Sequence, residues 1–183
     1  MLSKVKSFAL DGINGYPVDI EIDINLGVPS YETVGLPDTA IKESRERIRS
    51  AIKNSRLEYP IKRITINLAP ADTKKEGANY DLPIAVGIIA ANDGFETCDY
   101  IILGELSLDG GVRKINGIMP LLIAGMQSGH KKFIIPDGNR NEAAYIDGIE
   151  AYAVKTLAET VEFLKDTDTL EPIRRVGFSS DAA

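Results

Sequence analysis

One cysteine and one histidine, Cys98 and His130, stand in a chain of 183 residues. That pair can build neither an internal disulfide framework nor a Cys/His zinc cage, and a reducing cytoplasm is the expected compartment. A Ser-His-Asp constellation would have to rest on His130, which lies in Ser128-Gly129-His130-Lys131 and reads as an exposed turn residue. Long apolar runs are missing as well. Stretches such as Ile84 to Ala91 fall far short of the roughly 20 residues of a membrane-spanning helix. The N-terminus has no basic-then-apolar signal pattern. The expectation is a soluble, unexported protein with no membrane partner. G-x-x-x-x-G-K-[ST] is also absent, so this chain is not expected to cradle or hydrolyse ATP. The glycines at 12, 15, 104, 110, 111 and 117 form no G-x-G-x-x-G before a helix and read as turn residues.

Basic charge is in deficit overall, with 21 Lys and Arg against 27 Asp and Glu, a net charge of −6. That balance argues against a generally basic nucleic-acid-binding domain, but the placement is uneven. Residues 1–41 carry two basic and six acidic side chains, residues 42–63 eight and three, and residues 64–183 eleven and eighteen. One segment is therefore strongly basic within an acidic chain. The 44% hydrophobic and 26% charged content suits one globular domain with a real core.

Antiparallel β structure opens the chain: Lys4 to Leu10, a turn over Asp11 to Gly15, then a strand from Pro17. Val18, Ile20, Ile22 and Ile24 alternate with Asp19, Glu21, Asp23 and Asn25. Same-face carboxylates on a strand lie roughly 7 Å apart, too far to share a cation, so the acidic face reads as solvated. After a short strand at Tyr31 to Val34, a helix is expected from Asp38 or Thr39 to about Ser55. Its buried stripe is Ile41, Ser44, Ile48, Ala51 and Ile52, with Glu43 and Arg47 an i,i+4 pair on the exposed side.

Lys62 to Leu68 predicts a half-buried strand, and Leu82 to Ala91 a central helix, apolar all round, with Pro83 in its first turn. Further strands are expected at Tyr100 to Leu103, Phe133 to Ile135 and Ala151 to Val154, and a hairpin at Asp109-Gly110-Gly111. Helices are expected at Ile118 to Ser128 and Asn141 to Ile146, and a last one from the capping box Thr156/Glu159 to Lys165. Residues 166–183 read as a linker with too little apolar surface to pack.

Between strand and central helix runs Asn67-Leu68-Ala69-Pro70-Ala71-Asp72-Thr73-Lys74-Lys75-Glu76-Gly77-Ala78-Asn79-Tyr80-Asp81-Leu82-Pro83. With Leu103 to Gly110 and Lys132 to Pro136, this resembles the proteolytic domain of Lon protease. That family reads K-D-G-P-S-A-G at the loop, its serine the nucleophile, and G-E-I-x-L-x-G-x-V-x-x-I-G-G-x-K-x-K later, its last lysine the base. Lys75-Glu76-Gly77-Ala78-Asn79 occupies the first motif, so Asn79 stands at the nucleophile position. Gly104, Glu105, Gly110, Ile115 and Gly117 match the second, and the lysine position falls on Leu121. Both halves of a Ser-Lys dyad are lost, so no catalytic, cofactor-binding or metal residue is assigned.

Over nearly all of residues 1–171 the chain resembles more closely the magnesium-chelatase-related AAA+ proteins called YifB or ComM. The strings are Val34-Gly35-Leu36-Pro37-Asp38-Thr39-Ala40, Lys42-Glu43-Ser44-Arg45-Glu46-Arg47, Asn67 to Asp72, Lys74 to Gly77 and Tyr80 to Ala85. The resemblance implies an α/β (α+β) domain with the Lon protease C-terminal-domain-like fold (ribosomal protein S-five domain-two-like), a mixed sheet with packed helices. It implies a Lon-like (ChlI-type) N-terminal domain over residues 1–166, and a linker over 167–183 towards an AAA+ ATPase domain. It also implies ATP and Mg2+ in the full-length protein, a hexameric ring, and Holliday-junction branch migration in recombination and natural transformation.

Lys42, Arg45, Arg49, Lys53 and Arg56 are spaced 3, 4, 4 and 3 apart, one stripe on the predicted helix. They read equally as a DNA phosphate track or as a solvated face balanced by Glu43 and Glu46, with Lys74 and Lys75 a second DNA-binding candidate. The resemblance supports the track, since the Lon-like domain of RadA is thought to line a ring around DNA. The expected role is a non-catalytic accessory domain for ring assembly and DNA contact. Two alternatives are a cryptic Lon-type serine peptidase using Ser107, for which no base is evident, and a metal-chelatase-type assembly module, for which no ligand cluster is evident.

Overall fold

The computed structural model describes residues 1–36, 38–70, 78–97 and 99–176; Lys74 and Lys75 lie outside them. Strands β1 (Leu2–Asp11) and β2 (Asn14–Asn25) form an antiparallel hairpin whose last pair is Asp11 with Asn14. The turn is thus Gly12-Ile13 alone, shorter than the five residues expected, because Gly12 at φ +63° reverses the chain at once. The β2 alternation divides as predicted: Val18, Ile20, Ile22 and Ile24 are buried. On the other face Glu21 stands across from Lys4 and Asp19 across from Lys6.

Edge strand β3 (Ser30–Val34) is followed by helix α1 (Asp38–Asn54), which crosses over to the parallel strand β4 (Arg63–Ala69). Helix α2 (Asp81–Asp93) precedes β5 (Tyr100–Ile102), and a small hairpin follows, β6 (Glu105–Leu106) with β7 (Val112–Arg113). Then come α3 (Ile118–Gln127), β8 (Lys132–Pro136), α4 (Arg140–Ala143), β9 (Glu150–Val154) and α5 (Leu157–Lys165). The main sheet has seven strands in the order β3-β4-β2-β1-β5-β8-β9. It is mixed: β2 is antiparallel to both neighbours and the remaining pairings are parallel.

Two cores result, one on each face. Helices α1, α2 and α5 close the larger, and α3 and α4 close the smaller around Phe8, Ile101, Leu121 and Phe133. Every residue of α2 from Asp81 to Ala91 is buried, as a helix apolar all round requires. It lies close on the sheet because Gly87 has no side chain: a Cβ there would stand 2.2 Å from Ile22 Cδ1. Ser3 Oγ donates to the Gly87 carbonyl at 2.7 Å, a hydroxyl satisfied inside the core.

Several expectations need correction. Helix α4 covers only Arg140–Ala143, because a 3₁₀ turn at Asp137–Asn139 starts earlier and buried Asn139 holds Ile115 N and O through its amide. At α5 the Thr156 hydroxyl accepts from Glu159 N, but the Glu159 carboxylate accepts from Lys155 N, one residue before the cap. His130 is half-buried and stands edge-on to the Phe8 ring at 5.9 Å, because Phe8 projects under the end of α3. Residues 167–176 are not a bare linker. Ile173 N donates to Ala151 O at 2.7 Å and Val176 N to Ala144 O at 2.8 Å, while Leu170 and Ile173 pack on the two cores. Two well-spaced apolar residues suffice where the backbone also finds partners.

Candidate functional site

Asn79 lies in a 3₁₀ turn, Ala78–Tyr80, that leads directly into α2. Its carbonyl accepts from Gly104 N at 3.1 Å, and Leu82 N donates back to Gly104 O at 2.9 Å. Those two bonds clamp the segment after β5 to the start of α2. Gly104 lets the two segments close up: a Cβ there would come within 2.9 Å of Val112 Cγ1 and 3.0 Å of Leu82 Cδ2, so those side chains would have to shift. Leu121, one turn into α3, is 5% exposed. Asn79 and Leu121 line one cavity of about 370 Å³, together with Leu10, Asp11, Tyr80 and Asn116. The strand-loop-helix junction and the later helix thus converge, and they present an amide and an isobutyl group. Burial, then Tyr16, pushes the Tyr80 phenol well above its ordinary range. Ser107 lies apart, in the β6–β7 turn, where its hydroxyl donates to Asp109. That bond, then Gly111 N, holds the Asp109 carboxyl below its usual range and leaves it a weak base.

On the other side of Tyr80 the sequence hid a second feature. Asp81, 1% exposed, accepts from Arg47 Nε at 2.6 Å, Arg47 Nη2 at 3.1 Å, Ser44 Oγ at 3.1 Å and Leu106 N at 3.2 Å. Burial pushes its carboxyl up from the ordinary range, against the downward pull of these donors. The hydrogen bond to Asp81 raises Arg47 further, so the guanidinium stays charged. The expected i,i+4 pair of Arg47 with Glu43 forms as well, at 4.0 Å, but it is the longer and more exposed of the two ion pairs. Arg47 turns inward because a carboxylate at the head of a buried helix leaves it the stronger partner. The one legible signal was an acidic residue opening an otherwise apolar run.

Arg45, Arg49 and Lys53 are exposed along α1 and line a groove of about 500 Å³ against β3 and the approach to β4. Lys62, Tyr31 and Tyr59 line it too, and no described lining residue is acidic. Lys42 is exposed but does not line the groove, being a turn further back. Arg56 is off the helix face altogether, since α1 ends at Asn54 and Arg56 takes φ +59°. Of the five residues expected to form one stripe, three therefore line the groove. Burial raises the Tyr59 phenol, and Arg49 and Arg45 pull it back. Burial, then Tyr59, raises Tyr31. Neither tyrosine was singled out by the sequence, because each is separated from the row by a change of element.

Residues 20–139 match the family described as subunit ChlI of Mg-chelatase. The chain is 40% identical over 172 residues to "Competence protein ComM" of Haemophilus influenzae, covering 92% of this chain and 34% of that one. It is 41% identical over 173 residues to "Uncharacterized protein YifB" of Escherichia coli, covering 93% and 34%. "Lon protease 2" of Bacillus subtilis is 31% identical over 144 residues, 74% of this chain and 26% of that one. The chain thus spans about a third of the length of ComM and YifB, and its mixed sheet with packed helices agrees with the Lon likeness. On the family match and on identity over most of its length, the chain belongs to the Mg-chelatase-related ChlI family that includes ComM and YifB.

Proposed function

We propose that this chain is a non-catalytic accessory domain built on a Lon-type fold, acting beside an AAA+ ATPase domain and touching nucleic acid. The observation that carries the reading is the pairing of Asn79 with Leu121 in one cavity. Those are the positions at which the resemblance to Lon implies a nucleophile and its base. An amide does not attack a carbonyl, and an isobutyl group cannot take a proton. The hydroxyl of Ser107 has only a carboxylate of lowered pKa beside it, which disfavours the peptidase alternative. The test is labelling of the 183-residue chain by a fluorophosphonate. No serine should be modified at a rate above that of unfolded chain, and fast labelling of any one serine in the folded state would overturn the reading.

Whole-protein roles follow from kinship. The domain, packed as far as Val176, sits N-terminal to an AAA+ domain that supplies ATP and Mg2+ chemistry, and copies assemble into a ring in the cytoplasm. The word competence in the name of the Haemophilus relative supports work on DNA during uptake and recombination, with branch migration as the activity of the whole. The row of Arg45, Arg49 and Lys53, open to solvent and lining a groove without described acids, supports a direct nucleic-acid contact by this domain.

A further inference from the structure

We infer that the groove between α1 and the β3 edge is a site for single-stranded nucleic acid, with phosphates along Arg45, Arg49 and Lys53 and a base against Tyr59. This rests on the nucleic-acid half of the function proposed above and names the form of strand the groove takes. Residues four apart on α1 rise about 6 Å per step on one face, so the three cations form a straight rail on a rigid element. Lys62 supplies a cation from the opposite wall. Arg45 is paired with Glu46 at 3.8 Å just outside the lining, so the positive charge of the groove rests mainly on Arg49, Lys53 and Lys62, with no acid among the described lining residues. Its volume, about 500 Å³, falls in the range of about 300–1,000 Å³ that small organic ligands occupy.

The aromatic component decides between a single strand and a duplex. Tyr31 and Tyr59 both line the groove and pack against the larger core, which holds their rings in place. Tyr59 lines the groove together with Arg45 and Arg49, so ring and rail are neighbours, and its hydroxyl feels Arg49, Arg45 and the opposing Glu46. A fixed aromatic ring beside a row of cations is the arrangement that binds strands without reading sequence: phosphates track the charge and bases stack on the ring. A duplex keeps its bases stacked on one another and has no free π-face to offer, whereas an unpaired strand does. An acidic peptide would answer the four cations but leave the aromatic faces unused. Ile61, 82% exposed at the rim, adds apolar contact for a sugar or base edge.

The experiment titrates the 183-residue chain into fluorescently labelled oligo-dT and into a blunt duplex of equal length, across a salt series, with polyglutamate as competitor. Oligo-dT should bind more tightly than the duplex. Tyr59→Leu, which keeps apolar bulk, should weaken oligo-dT binding about fivefold or more and leave duplex binding unchanged. Tyr59→Phe should keep the affinity. Because the chain has no tryptophan, tyrosine emission is readable directly: oligo-dT should quench it, and Tyr59→Phe should lose that part of the quenching while still binding. This second readout stands even if Tyr59→Leu fails to fold. Equal binding of both nucleic acids, insensitive to Tyr59 but weakened by Arg49→Glu, overturns the groove assignment and leaves nucleic-acid contact standing. Binding of neither overturns both. Polyglutamate binding more tightly than oligo-dT at equal salt also overturns the assignment, in favour of an acidic peptide.

Discussion

Asp81 enters a helix whose next ten residues are all buried, and its carboxylate must be neutralised where water does not reach. Arg47, Ser44 and the Leu106 amide do this, joining α1, α2 and β6 through one side chain. Arg47→Met would leave the carboxylate without its cation, and about 3 kcal/mol of stability should go. The pH dependence has a definite sign. Burial already raises the Asp81 pKa in the folded chain, and loss of Arg47 raises it further. A group whose folded pKa lies above its unfolded value contributes stability below the unfolded pKa, and that contribution is lost as pH rises through the folded one. Denaturant unfolding of Arg47→Met against the parent should show a smaller deficit near pH 4 than at pH 7. A deficit that does not change with pH would show that Asp81 is not the group left exposed to the loss. Ser44 was legible as part of a buried stripe, but its partner was not, since Asp81 lies 37 residues further along.

At the scale of the element, α1 serves two partners with two faces. Ile48, Ala51 and Ile52 pack into the core while Arg45, Arg49 and Lys53 face the groove. Helical periodicity made both faces readable from sequence, because residues three and four apart fall on one side. The helix end decided what periodicity could not, and it took Arg56 out of the row. Arg45→Glu/Arg49→Glu/Lys53→Glu in the ATPase-containing parent should weaken DNA binding and reduce the slope of log affinity against log salt by about 2 to 3, the loss of three phosphate contacts. Unchanged affinity and slope would remove the nucleic-acid half of the proposed function. All three side chains are exposed, so the fold should survive the change.

For the whole molecule, the segment after α5 is part of the body up to Val176. Ile173 and Val176 donate to carbonyls of Ala151 and Ala144, and Arg175 stands 3.5 Å from Asp147. Truncation after Lys165 should uncover the surfaces under Leu170 and Ile173 and lower stability by about 1–3 kcal/mol, measured by thermal or urea unfolding. A truncated chain as stable as the full one would return these residues to the status of a linker.

Periodicity along the chain determined the elements: β2 by its alternation, α1 by its stripe, α2 by its lack of any polar face. Such patterns record which face each segment must bury, and burial is the largest local constraint on a chain. The sequence also determined, through its motifs, which two positions to compare. The pairing of elements distant in sequence belonged to the tertiary structure alone. It set Asn79 and Leu121 around one cavity, gave Arg47 the buried partner Asp81 beside Glu43, and brought Tyr59 beside Arg49. Contacts of that kind depend on how sheet order and helix layers bring segments together, and periodicity within one segment carries no information about its neighbours.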